Sequence, residues 1–421
     1  MDKVDVLILG AGIAGLGAAL KCREIDREAK IYESSNSTGG LLDNFTVDGF
    51  RFDNAVHLSF AVEEKVRDIF DRTPYLTHPA DARCFDDGRW LKHPVQNNLY
   101  PLDAADKVEL IKSFLSRSDY DQSKNYEEWL RHQYGDYIAD KYPLKYTLKY
   151  WDTPAAHLST SWIGNRMRRA EIDEILFGAF SPDTPNTYYT KEMRYPVNGG
   201  YKSFIQPLID ESNIFLGKRA VEIRQKDKIV VFSDGSEAKY NELISSIPLP
   251  ILAQLLQDAP SDVIASAAAL EATSIDLISV GFDCRIDLDL WIYIYDRDIF
   301  ASRAYSPSVK SMGNVPAGCS SLQFESYQRG RTSKYSMDEL KDNTIYAIEK
   351  LGIARKSNII FTHHKHLPWG NVIFDLGMEN NREVVRKFIK TCGVKSCGRF
   401  GEWDYLWSNQ SLLSGYNALE K

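Results

Sequence analysis

Gly10, Gly12 and Gly15, in the run Gly10-Ala11-Gly12-Ile13-Ala14-Gly15, have the types and spacing to seat a pyrophosphate. Gly10 permits a tight turn, Gly12 lets the backbone approach the phosphates, and Gly15 lets the following helix pack on the preceding strand. Glu33 lies 23 positions after Gly10, and an acid about 20 residues on suits a ribose hydroxyl. These residues work only if a strand leads into the glycines and a helix leaves them. Residues 4–9 are apolar on both faces, as a buried parallel strand is. Leu16-Gly17-Ala18-Ala19-Leu20 then opens a helical pattern, whose N-terminus offers N–H groups and a positive dipole end to phosphates. Residues 29–33 are predicted as the second strand, closed by the acid. The alternative is a strand-to-helix turn without a ligand; the correctly spaced acid argues against it.

The chain has 421 residues, enough for two or three domains, with 43% apolar and 26% charged side chains. Its net charge of −7 comes with no Lys/Arg cluster that reads as a nucleic-acid face. An anionic ligand must then be met by individual arginines. No apolar run is long enough to span a bilayer, and no signal peptide precedes the first strand, so a cytoplasmic location is expected. Cys22, Cys84, Cys284, Cys319, Cys392 and Cys397 are scattered and read as free thiols, the last two as structural. His363, His364 and His366 lack a carboxylate or cysteine flank at ligand spacing, so no metal is expected.

Residues 47–57 read as a strand and then a loop reaching His57, which is either a satisfied loop histidine or one set against a cofactor ring. Residues 60–190 read as helical, with helix-period patterns over 104–116, 126–141 and 161–179. The aromatics there, Tyr142, Tyr146, Trp151 and Trp162 among them, are either helix core or the wall of a pocket for a ring-shaped ligand. Strands are predicted over 214–216, 220–223 and 228–233, with a turn at Asp234-Gly235, and another over 243–250 leaves through prolines. Residues 275–283, 291–295 and 320–325 suggest a second, sheet-rich domain, and 336–350 and 381–391 are amphipathic helices. With no repeat or low-complexity linker, the domains are expected to interleave. The predicted class is α/β. A Rossmann-type dinucleotide domain spans 1–90, 191–240 and 336–421, with an inserted helical domain over 91–190 and a β-sheet substrate domain over 241–335.

A second glycine pair, Gly39-Gly40-Leu41, follows Glu33. The C-terminal region reads Gly398-Arg399-Phe400-Gly401-Glu402-Trp403-Asp404-Tyr405, then Asn409-Gln410. The first resembles the FAD enzymes of the amine oxidase and UDP-galactopyranose mutase type. The second resembles the G-R-F-G-x-W-x-Y-x-x-x-N-Q segment of eukaryotic-type UDP-galactopyranose mutases. Further matches are Phe52-Asp53 through His57, Pro94-Val95-Gln96-Asn97-Asn98, Trp162-Ile163-Gly164-Asn165-Arg166, Tyr195-Pro196 with Gly199-Gly200, Trp291-x-Tyr293 followed by Arg303, and Asn314-Val315-Pro316. The resemblance runs from Asp5 to Gly415. Lys310 stands where that family has a phosphate-contacting tyrosine, Thr147 where it has an asparagine near the uracil, and His366 roughly where it has a second tyrosine.

The resemblance implies FAD held by Gly10, Gly12, Gly15, Glu33, Gly39, Gly40, Leu41, His57, Val221, Arg399, Asn409 and Gln410. It implies a UDP-sugar held by Gln96, Tyr142, Tyr146, Trp151, Arg166, Trp291, Tyr293, Arg303, Lys310 and Tyr405, with His57, Arg166 and Arg303 catalytic. The implied activity is that of an FAD-dependent isomerase interconverting pyranose and furanose forms, with reduced flavin N5 as the nucleophile at the anomeric carbon. NAD(P)H is a candidate reductant and a homo-oligomer a candidate assembly. An oxidase or desaturase of the amine oxidase or protoporphyrinogen oxidase type is the alternative on the same FAD body. Physical chemistry supports the arginines: bidentate guanidinium groups match phosphate oxygens. Arg166 and Arg303 fall in different expected domains, so a cleft between them would clamp one diphosphate. Otherwise each makes an ordinary salt bridge.

Overall fold

The computed structural model describes residues 2–420 except 118–121, 165, 168–170, 186–189 and 191. β1 (Asp2–Leu9) lies between the strands Ala29–Tyr32 and Glu237–Ser245 and runs parallel to both, with Leu9 opposite Tyr32 and Ser245. The parallel set is extended by Ile214–Phe215 at one side and Val394–Ser396 at the other. A hairpin, Ala220–Arg224 with Ile229–Phe232, completes this seven-stranded sheet as its antiparallel edge. Val6, Leu7, Ile8 and Leu9 are buried because helices cover both faces.

The expected turn and helix follow β1. Gly10 has φ +98°, and α1 (Ile13–Glu24) begins with Gly12 as its N-cap. A Cβ on Gly15 would overlap the Gly10 carbonyl oxygen, so this glycine does permit the close packing of helix on strand. The same device joins the chain ends. The C-terminal helix Ser408–Tyr416 lies against α1 so closely that a Cβ on Gly17 would overlap Leu412 O, and one on Gly415 would overlap Ala14 O.

The second sheet also has seven strands, in the order Ile359–Leu367, Thr273–Phe282, Ser320–Arg329, Arg303–Tyr305, Trp291–Ile294, Ala82–Asp86 and Arg89–Lys92. Adjacent strands are antiparallel except Trp291–Ile294 with Ala82–Asp86. Three of these strands lie outside the 241–335 segment expected to contain the sheet. The strands at 82–92, with Tyr75–Pro79, also correct the helical reading of 60–190. Strand Glu237–Ser245 crosses the expected boundary at 240 and ends short of the expected 250, where the helix Leu249–Leu255 has already begun. The helical patterns are cut shorter as well. The 126–141 pattern divides into Tyr126–Tyr134 and Asp136–Lys141 at Gly135, which has φ +79°. The 161–179 pattern becomes helix only at Ile172–Phe180, and Asn165 of its motif lies outside the described residues.

The six cysteines are free thiols, and Cys397 is buried. Among the described residues no helix is long and apolar enough to cross a membrane. Replacing Gly415 with Ala should lower the unfolding free energy by about 1–3 kcal/mol, the usual cost of forcing a methyl into a packed contact. Urea unfolding checks this; an unchanged midpoint would mean the two helices separate freely.

Candidate active site

A cavity of about 810 Å³ starts at the glycine loops of the first sheet and ends among helices packed on the second. Its dinucleotide end is walled by Gly10, Gly12, Glu33, Gly39, Gly40 and Leu41. The two glycine loops are held side by side, Gly39 N–H donating to Ala11 O at 2.9 Å. A Cβ on Gly12 would meet no atom within 4 Å, so the backbone there faces open space. No side chain caps α1 and no acid stands in its first turn, which leaves the positive helix end to a ligand. Glu33 accepts from Ala11 N–H and Ser35 N–H, both at 2.8 Å, and borders the cavity.

His57, Arg399 and Asn409 line the middle. His57 Nε2 faces the carbonyl oxygens of Leu41 (2.9 Å) and Asn54 (3.1 Å). Two acceptors require Nε2 to carry the proton, leaving Nδ1 as the acceptor of a neutral ring. Burial lowers the His57 pKa from its ordinary value and keeps the ring in that form. Asn409 donates to Glu63 at 2.8 Å. Arg399 donates to Asn371 Oδ1 and to Leu406 O, and its guanidinium lies 4.5 Å from the centre of the Tyr405 ring.

The far end carries Gln96, Tyr142, Tyr146, Trp151, Arg166, Trp291, Tyr293, Arg303 and Tyr405, all of them cavity wall. Arg166 donates to Trp162 O at 3.0 Å and to Tyr405 O, and stands over the rings of Tyr405 (4.7 Å) and Trp407 (4.8 Å). Arg303 pairs with Glu325, donates to Tyr327 OH at 2.6 Å, and lies 5.3 Å from the Tyr150 ring. Against the cost of burial, the Glu325 carboxylate holds the Arg303 proton more firmly than usual. Three guanidinium groups thus converge on Tyr405, whose hydroxyl is 3.4 Å from that of Tyr150. Burial alone would raise the Tyr405 pKa. The charges of Arg399, Arg303 and Arg166 overcome it, with the Tyr150 hydrogen bond, and the net direction is down. His93, against Tyr293 and 3.6 Å from Cys84 Sγ, is pushed by burial down to about 4.

The wall carries polar atoms that ask for a ligand. The hydroxyls of Tyr142 and Tyr146, Trp162 Nε1 and Arg399 Nε are buried without a hydrogen-bond partner. An unpaired buried polar group costs about 1–3 kcal/mol, so a polar occupant of this cavity is favoured.

Four expected site residues are elsewhere. Gly15 acts in packing only. Val221 is exposed on the edge hairpin, separated from β1 by two strands and outside the cavity wall. Gln410 accepts from Trp407 N–H at 2.9 Å and caps the C-terminal helix. Lys310 is fully buried, its Nζ 3.0 Å from Asp53, and reaches no cavity surface. Burial lowers its pKa against the pull of Asp53. His364 and His366 both bond Asp276, at 2.7 and 2.9 Å. Among the described residues no group of three or more His, Cys, Asp or Glu is placed to hold a metal. Sequence reasoning missed Glu325, whose only signal was an acid closing a predicted strand.

The family profile of an NAD(P)-binding Rossmann-like domain matches residues 8–73. The inactive all-trans-retinol 13,14-reductase of Danio rerio is 38% identical over 52 residues, 12% of this chain and only 9% of that protein's length. Over the whole chain, the crystal structure of reduced UDP-galactopyranose mutase superposes with a TM-score of 0.92 and 24% identity, covering 99% of this chain and 95% of that one. The chain has the UDP-galactopyranose mutase fold. A protein from an Exiguobacterium species, provisionally assigned as a protoporphyrinogen oxidase, follows at TM-score 0.76 and 18% identity, covering 100% and 99% of the two chains. A putrescine oxidase variant has a TM-score of 0.67 and 12% identity at 100% and 99% coverage. The same scaffold is thus shared by a mutase and by oxidases.

Arg303→Met leaves Glu325 buried without its cation and should cost about 3–5 kcal/mol of stability. The R303M/E325Q chain, with both charges removed, should recover most of that loss in urea unfolding. Equal losses in both chains would show that the pair is not what stabilises the site.

Proposed function

We propose that the chain binds FAD and a nucleoside diphosphate sugar in this one cavity and interconverts the pyranose and furanose forms of the sugar. The observation that carries the reading is the joining of a glycine-loop dinucleotide cradle to a cluster of three guanidinium groups, Arg166, Arg303 and Arg399, within one wall. The residues fit the cofactor: open backbone at Gly12, an uncapped helix end and Glu33 at the ribose distance would hold its pyrophosphate and ribose. When bound and reduced, the flavin supplies a nucleophilic N5 to the anomeric carbon.

The chain's own residues do the rest. Arg166 and Arg303 hold the diphosphate as the bond from its oxygen to the anomeric carbon loosens, and keep it in place for return. Tyr405 sits among the guanidinium groups, where it can donate to phosphate oxygens. The aromatic walls at Tyr146, Trp151 and Trp162 exclude water and offer faces to a base or sugar ring. His57 is neutral, with its one N–H committed to two carbonyls, so it orients and does not deliver a proton.

The same guanidinium cluster disfavours an amine oxidase reading, because a cationic amine would be repelled by it. An oxidase of an uncharged or anionic substrate is the competing outcome of the test. The purified chain is expected to take up FAD, to show a flavin spectrum that UDP perturbs, and to convert UDP-galactofuranose under dithionite but not in air. Peroxide formation without isomerisation would establish the oxidase instead. Arg166→Ala should retain flavin and lose about a hundredfold in kcat/KM, the loss of two hydrogen bonds to a charged group. Full turnover in that variant would remove Arg166 from the diphosphate site.

A further inference from the structure

Two buried ion pairs grip adjacent residues of the His57 loop. Val56 N–H donates to Glu325 Oε1 at 2.6 Å, and Glu325 is the partner of Arg303. The carbonyl of the following residue, His57 O, accepts from Lys310 Nζ at 3.4 Å, and Lys310 is the partner of Asp53. Lys310 and Glu325 have no exposed surface. Asp53 has two further donors: Oδ2 also accepts from Tyr195 OH at 2.7 Å, and Oδ1 accepts from Tyr201 N–H at 3.0 Å. The Lys310 ammonium packs 4.0 Å from the Tyr305 ring centre and 4.4 Å from that of Tyr195. Buried charges this deep are costly, and well-packed apolar residues are often as stable in their place. Stability alone therefore does not explain them, and what they share is the His57 loop.

We propose that Lys310, together with Glu325, is a positioning residue for His57, holding the 55–56 and 57–58 peptides that flank it so that the imidazole borders the cavity with its Nε2–H turned to Leu41 and Asn54. The catalytic meaning of this rests on the function proposed above, but the geometry is testable without turnover. The charged groups facing His57 are Asp53, Lys310 and Glu325. Burial lowers its pKa, Asp53 and Glu325 act in the opposite direction, and Lys310 adds to the lowering.

The test is histidine-ring NMR of the full chain as purified, with the His57 signal assigned by His57→Gln. The wild type should show one neutral tautomer, Nε2–H. Lys310→Met should populate both tautomers and move the titration up by about half a pH unit or more, since Asp53 then acts unopposed. Because K310M strands Asp53, D53N/K310M is measured beside it; this chain removes both charges together, is expected to fold, and should also show both tautomers. Lys310→Gln, which keeps a donor for His57 O, should restore the single tautomer. A folded K310M or D53N/K310M chain with the wild-type tautomer and titration overturns the proposal. A chain that binds no flavin would instead overturn the mutase reading, and the NMR result would stand apart from it.

Discussion

Glu325 is a carboxylate with no exposed surface, and a charge in that position is tolerated only when its lone pairs are filled. Its donors come from three places: the Arg303 guanidinium across the strand pair, the Tyr327 hydroxyl two residues on, and the Val56 N–H of a loop that leaves the dinucleotide region. Arg303 and Tyr327 stand on the second sheet and Val56 on the loop after Asp53, so the charge can be buried only if that sheet and the loop hold their relative positions. The Lys310–Asp53 pair repeats the arrangement one residue further on. The cavity lies where these requirements meet.

That arrangement also sets the electrostatics. Arg303 gives Nε to an internal anion and Nη2 to the Tyr327 hydroxyl, whereas the bonds of Arg399 go to neutral oxygens of Asn371 and Leu406. The region around Tyr405 is therefore rich in positive charge within a chain whose net charge is −7. Local placement, and not composition, makes the site attractive to an anion. The aromatic rings of Tyr405, Trp407, Tyr150 and Tyr327 receive the guanidinium faces and hold the forks in place without neutralising them.

The helical segment contributes through where it stops being helical. Its 161–179 pattern has the right periodicity, yet the chain turns at Trp162–Gly164, with Gly164 at φ +46°, before the helix at Ile172–Phe180 begins. The turn brings Arg166 onto the Tyr405 carbonyl and ring. Similarly, Gly135 divides one predicted helix into two, and residues of both halves reach the cavity: Tyr134 from the first and Ile138 from the second.

Local physics was legible in the sequence by itself. The glycine turn, the buried parallel strand before it, α1 and Glu33 depend on residues close in the chain, and they stand where periodicity and spacing put them. The C-terminal Gly398–Tyr405 run and the motif arginines also reach the cavity, because short motifs carry their own backbone geometry. Contacts across hundreds of residues were decided by the tertiary structure. Lys310 has the chemistry of an anion ligand, and only the packing of Tyr195, Tyr305 and Asp53 around it turns it inward. The alternation Leu322-Gln323-Phe324-Glu325 gives no sign that its polar side is buried, since pattern marks which residues share a face and not what that face meets. Strands 82–86 and 291–294 pair over about two hundred residues, and no local preference records such a partner.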